Sequence, residues 1–144
     1  MDKVLRNTLR NVVTQCRRLL EEAVAEVLEG QFGIYTSGKV DEAERMGHLA
    51  ADDLEYRKQL LVHLQHIPAA GFQVKEAVEQ LVREVAFTHL NRFCAYKMME
   101  HRGLIRRAVS DGLKSQGFLF YLADHPEEEA LYASGQQDVA YGIF

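Results

Sequence analysis

The segment from Val74 to Arg102 constrains the fold most, because it reads as one continuous helix ended by Gly103. At about 100° per residue, Val78, Leu81, Val82, Val85, Phe93, Tyr96 and Met99 share one broad sector. Phe87, Leu90, Cys94 and Met98 fall in a second sector on the opposite side. A helix apolar on two faces is expected to sit between neighbours, as the hub of a helical domain. The remaining strip holds Glu84, Thr88 and Asn91 with Arg92 at its edge, while Lys97 and Glu100 land within an apolar sector. Burying such charges costs several kcal/mol unless they are paired. Asn91, Arg92, Lys97 and Glu100 are therefore expected to form an internal polar hub, with Lys97 and Glu100 as an i, i+3 pair.

The rest of the chain supports the same class. Leu5, Leu9, Val12, Cys16, Leu19 and Ala23 recur at alternating steps of four and three, the spacing of helices packed side by side. This first helix is expected to reach about Glu29 and to stop at Gly30. "GQFGIYTSGK" follows as a loop. Its Gly33, Gly38 and Lys39 imitate a phosphate-binding loop, but Val40 stands where a magnesium-binding hydroxyl belongs and a helix precedes it. A second helical pattern runs from about Asp41 to Ile67, with a break at Gly47, and Pro68 and Gly71 close it. His63 and His66 share a face there without a nearby third ligand, so they read as surface imidazoles.

Beyond Gly103, "LIRRAVSDGL" reads as a brief helix and "SQGFLFYLADH" as another, with Ser115 as its N-cap. Pro126 and the acids after it mark a further helix start, with Gly135 as its stop. No stretch alternates as a strand. The expected class is all-α: a bundle of long antiparallel helices with short helices packed at one end. At 144 residues the chain is expected to form a single helical domain. It ends in an apolar run, Val139, Ala140, Ile143 and Phe144, so residues 1–144 are read as the N-terminal fragment of a longer polypeptide.

Composition excludes several function classes. No apolar run reaches the roughly 20 residues needed to span a bilayer, and no signal-peptide core is present, so no membrane role and a cytoplasmic location are expected. Cys16 and Cys94 lie among apolar neighbours, away from metal-ligand spacing, and read as buried reduced thiols. No GxSxG occurs, and the acidic clusters are runs along the chain rather than facing pairs. No catalytic, cofactor-binding or metal-ligating residue is assigned. Net charge is −4, yet residues 83–110 hold six basic groups against two acidic ones, a positive island that can meet phosphate.

"REVAFTHLNRFCAYKMMEHRGLI" with "GFLFYLADHPEEE" resembles the N-terminal helical region of large adenine-specific DNA methyltransferases. These include the type IIG-like restriction–modification enzymes and the methyltransferases of BREX phage-defence systems. The matching residues are Phe87, Thr88, Asn91, Arg92, Ala95, Lys97, Met99 and Glu100, followed by Gly103, and the likeness covers about residues 80–125. Members of that family bind S-adenosylmethionine with a Gly-rich turn after a strand, and hold the flipped adenine with a paired-proline motif. This chain has only Pro68 and Pro126 and neither motif, so it is not expected to methylate anything itself.

The resemblance implies a non-catalytic domain that braces the catalytic domain of the same polypeptide. S-adenosylmethionine is then the cofactor of the parent enzyme. Double-stranded DNA and other subunits of a defence complex are the further partners. Arg102, Arg106 and Arg107 lie at or beyond the end of the long helix, where exposure is expected, and are the candidates for DNA-backbone contact. The competing reading is a helical protein–protein interaction module or adaptor with no DNA role, suggested by the stripe on the first helix.

Overall fold

The computed structural model describes residues 2–67 and 73–126. The architecture is all-α. Among the described residues four α-helices follow one another: α1 (Lys3–Gly30), α2 (Ala51–His66), α3 (Val74–His101) and α4 (Gln116–Asp124). Short 3-10 turns occupy Ala43–Met46 and Gly112–Lys114. Among the described residues no strand forms; the one β feature is an isolated antiparallel bridge between Ile34 and Val40. By contact the chain divides into two compact units, Met1–Leu90 and Asn91–Phe144.

In the first unit the core gathers Leu28 from α1, Ile34 from the following loop, Leu64 from α2, and Ala77, Val78, Leu81 and Val82 from α3. Val78 is wholly buried and Ile34 nearly so. Fully burying an aliphatic side chain of this size is worth about 1.5–3 kcal/mol, so this cluster holds the three long helices together. One expectation fails at the start of the loop. Gly30 does not stop α1, which includes it; the left-handed turn comes at Gly33, with φ of 61°. The amides of Phe32 and Gly33 still bond back to Leu28 and Glu29, so the helical ladder runs on past Gly30 and breaks only where a positive φ is needed.

From Gly33 the chain makes a small hairpin. Tyr35 donates its amide to the carbonyl of Lys39 at 2.9 Å, and Asp41 donates to that of Gly33 at 2.8 Å. The Tyr35 hydroxyl donates to Asp41 Oδ2 at 3.0 Å, and Lys39 Nζ lies 3.1 Å from Asp41 Oδ1. The Lys39 ammonium and the Tyr35 hydroxyl hold the Asp41 carboxyl below its ordinary range. The helical pattern expected from Asp41 breaks at Gly47 as expected: a 3-10 turn ends there, and α2 starts at Ala51 with Asp52 and Asp53 in its first turn.

The buried cation lies on a different helix from the one expected. Arg57 of α2 is buried, donates from Nε to the carbonyl of Phe32 at 2.8 Å, and donates from Nη2 to the carbonyl of Asp41. It ties both ends of the hairpin to α2. On α3, Asn91, Arg92 and Lys97 are exposed, as are Phe87 and Met98 at 57% and 58%. The second apolar sector of α3 is therefore a surface, and the expected internal hub is not found at Asn91 or Arg92. The spacing of side chains defines a sector, but only a neighbouring element buries it. Cys94 is also exposed and Cys16 half-buried, both as free thiols.

The expected stops at Pro68 and Gly71, the helix after Pro126 with its stop at Gly135, and the apolar run at Val139, Ala140, Ile143 and Phe144 lie outside the described residues. Among the described residues, no helix is long and apolar enough to cross a membrane.

Candidate functional site: the cationic turn after α3

The end of α3 is set by local chemistry. Gly103 takes φ of 68°, Leu104 donates its amide to Met99 at 2.9 Å, and Gly103 donates to Glu100 at 3.0 Å. That is the Schellman arrangement, in which a left-handed residue lets the last carbonyls be satisfied. The chain then leaves the helix and carries Arg106 and Arg107 into a turn.

Glu100 organises this turn. Its Oε1 accepts the amides of Ala108 at 2.6 Å, Val109 at 2.5 Å and Ser110 at 3.3 Å, while its Oε2 accepts the Ser110 hydroxyl. Charge-assisted bonds of this kind are about twice as strong as neutral ones. The Ser110 hydroxyl, reinforced by the three amides, pulls the carboxyl down to about 2. Lys97 donates from Nζ to Ser110 Oγ at 2.6 Å. Lys97 and Glu100 thus meet through Ser110 rather than directly.

This bonding also explains why "LIRRAVSDGL" does not form the expected helix. The amides of residues 108–110 point at one carboxylate, so they cannot close a helical ladder. The far side of the turn rests on α4. Gly117 donates its amide to Arg107 at 3.0 Å, and a Cβ on Gly117 would lie 3.1 Å from that of Ala108. Ser115 caps α4 as expected, accepting the Phe118 amide at 3.1 Å while itself only 1% exposed.

The three candidate arginines are all exposed. Arg102 lies one residue past α3, Arg106 stacks with its guanidinium carbon 4.2 Å from the Phe120 ring centre, and Arg107 Nη2 lies 3.1 Å from Asp111 Oδ1. A cation over a ring face is held there by the negative face of the ring. An exposed pair such as Arg107–Asp111 is worth roughly 0–1 kcal/mol, so a phosphate can displace the carboxylate. The stretch therefore presents cations on a backbone whose shape is held by Glu100.

The Ser110 hydroxyl donates to Glu100 and accepts from Lys97. A carboxylate held down to about 2 is a weak base for the serine proton, so the three groups read as the anchor of the turn. Among the described residues no group of three or more His, Cys, Asp or Glu could hold a metal ion. His66 bonds its Nδ1 to the carbonyl of Val62 at 2.7 Å, and His63 lies 3.9 Å from Glu84, both at the surface.

Sequence reasoning located the arginines and named Glu100, but it missed Ser110 and the carboxylate's role as the anchor of the turn. It also missed Arg57. Comparison with family models, curated proteins and solved structures finds no match for this chain.

Proposed function

We propose that this chain is a non-catalytic helical domain of an adenine-specific DNA methyltransferase, and that its turn after α3 contacts the DNA phosphate backbone. The observation that carries the DNA contact is the exposure of Arg102, Arg106 and Arg107 within six residues of a turn anchored by Glu100. Contacts of this type position a protein on a duplex and carry no base sequence by themselves. The parent enzyme is inferred from the resemblance over residues 80–125, in which Lys97, Glu100 and Gly103 are the residues that shape the turn. S-adenosylmethionine would belong to the catalytic domain.

Titration of a labelled duplex across a salt series tests the contact. Three arginine–phosphate contacts give a log–log salt slope of about −3, and Arg106→Ala with Arg107→Ala lowers its magnitude by roughly 2. Binding that ignores these substitutions removes the turn from the reading. For the parent enzyme, the native reading frame past Phe144 is expected to encode a strand with a Gly-rich turn and an Asn/Asp-Pro-Pro-Tyr/Phe motif. A stop codon there overturns it.

A second reading has its own observation. The apolar stripe of α1 is exposed, with Leu5 at 58% and Leu19 at 57%, which favours a helical interaction module.

A further inference from the structure

The stripe on α1 is not the face that α1 uses in its own unit. Val24, Ala25 and Leu28 pack on the core. On a helical wheel they lie roughly 140° from the line through Leu5, Leu9, Val12, Cys16, Leu19 and Ala23. Of that line, Cys16 is half-buried and the others are exposed, over about 27 Å of helix. The helix therefore carries two apolar faces, one of which its own unit leaves uncovered.

Two features of the stripe identify its occupant. It is symmetric under reversal: about the level of Thr14, Leu5 falls opposite Ala23, Leu9 opposite Leu19, and Val12 opposite Cys16. An antiparallel copy of the helix thus meets it layer by layer, with every a position facing a d position. The charge order points the same way. About that level, residues 2–13 hold three basic groups and one acidic, whereas residues 15–30 hold four acidic and two basic, Arg17 and Arg18, which pair with Glu21 and Glu22. Antiparallel pairing sets the net-basic end of each helix beside the net-acidic end of the other, with Arg10 level with Arg18, and opposes the helix dipoles, whereas parallel pairing sets like ends together.

We infer that α1 pairs antiparallel with α1 of a second copy of this chain, through Leu5, Leu9, Val12, Cys16, Leu19 and Ala23. Both helices are anchored at one end in a folded unit, so little of the nucleation cost that makes short isolated helices marginal remains to be met on pairing. The inference stands independently of the DNA reading.

The test uses the 144-residue chain. Sedimentation equilibrium should give twice the monomer mass, and Leu9→Lys with Val12→Lys, both at exposed positions, should return the monomer mass with helicity by circular dichroism unchanged. A wild-type chain that stays monomeric up to roughly 100 μM overturns the pairing. Direction is read by cross-linking in a Cys16→Ser, Cys94→Ser background. Leu9→Cys and Leu19→Cys variants should give covalent dimers on oxidation only when mixed. Covalent dimer from either variant alone means parallel pairing and overturns the antiparallel assignment. A dimer that survives the two lysines places the interface elsewhere and also overturns it.

Discussion

Arg57 on α2 donates from Nε to the carbonyl of Phe32 at 2.8 Å, bridging 25 residues of sequence to hold the loop that follows α1. Its second contact, to the carbonyl of Asp41, sits at the other end of the same hairpin. One buried guanidinium therefore satisfies two carbonyls that the hairpin's own ladder leaves over.

Arg57→Met keeps most of the side-chain volume and removes both donors. Hydrogen bonds from charged groups are worth about 1.5–3 kcal/mol each, and some of that returns because no cation is buried. The expected loss is roughly 2–4 kcal/mol, read as a lower urea midpoint. A midpoint unchanged within error rejects the anchoring role.

Glu100 gives the turn a pH dependence whose sign follows from its depressed pKa. With the folded value near 2 and the ordinary value 4.5, its stabilisation is complete above 4.5 and is lost as pH falls toward about 2. Comparing wild type with Glu100→Gln isolates this group from the other carboxylates. The stability gap between them should be widest above 4.5 and should close as pH approaches 2. A gap that stays constant across that window means the Glu100 charge is not what holds residues 108–110.

Gly38 tests backbone conformation. Its φ is 89°, and a Cβ there would lie 2.8 Å from the backbone nitrogen of Lys75 at the start of α3. Gly38→Ala combines a disfavoured φ with a backbone clash, and is expected to cost about 1–3 kcal/mol. Gly47→Ala is the control, because its φ is −64° and nothing lies within 4 Å of its Cβ. It should be neutral or slightly stabilising in the same thermal melt.

Ser115→Ala removes the cap of α4 while leaving its apolar face intact. Such losses typically cost about 1 kcal/mol. Protection of the Phe118 amide from hydrogen exchange should fall more than that of residues late in α4. Equal loss throughout the helix means that it opens as one unit and that the cap is not its weak point.

What could be read from the chain and what could not divide along a physical line. Features fixed by a few neighbouring residues were legible: α3 ends one residue from the expected place because Gly103 can take a left-handed turn, and α4 starts directly after Ser115 because a hydroxyl can cap it. The exposed arginines were legible for the same reason, since they follow a helix stop. What tertiary structure decided was which apolar sector finds a neighbour and which polar group finds a partner. Lys97 and Arg57 are both cations in helical segments, and the spacing of residues does not rank them for burial. Arg57 is buried because the hairpin brings two carbonyls to it, and Lys97 is exposed because Ser110 meets it at the surface. Likewise "LIRRAVSDGL" has helical spacing, but a carboxylate eight to ten residues earlier takes its amides. Local propensity proposes an element, and the strongest available partner for its backbone groups decides whether it forms.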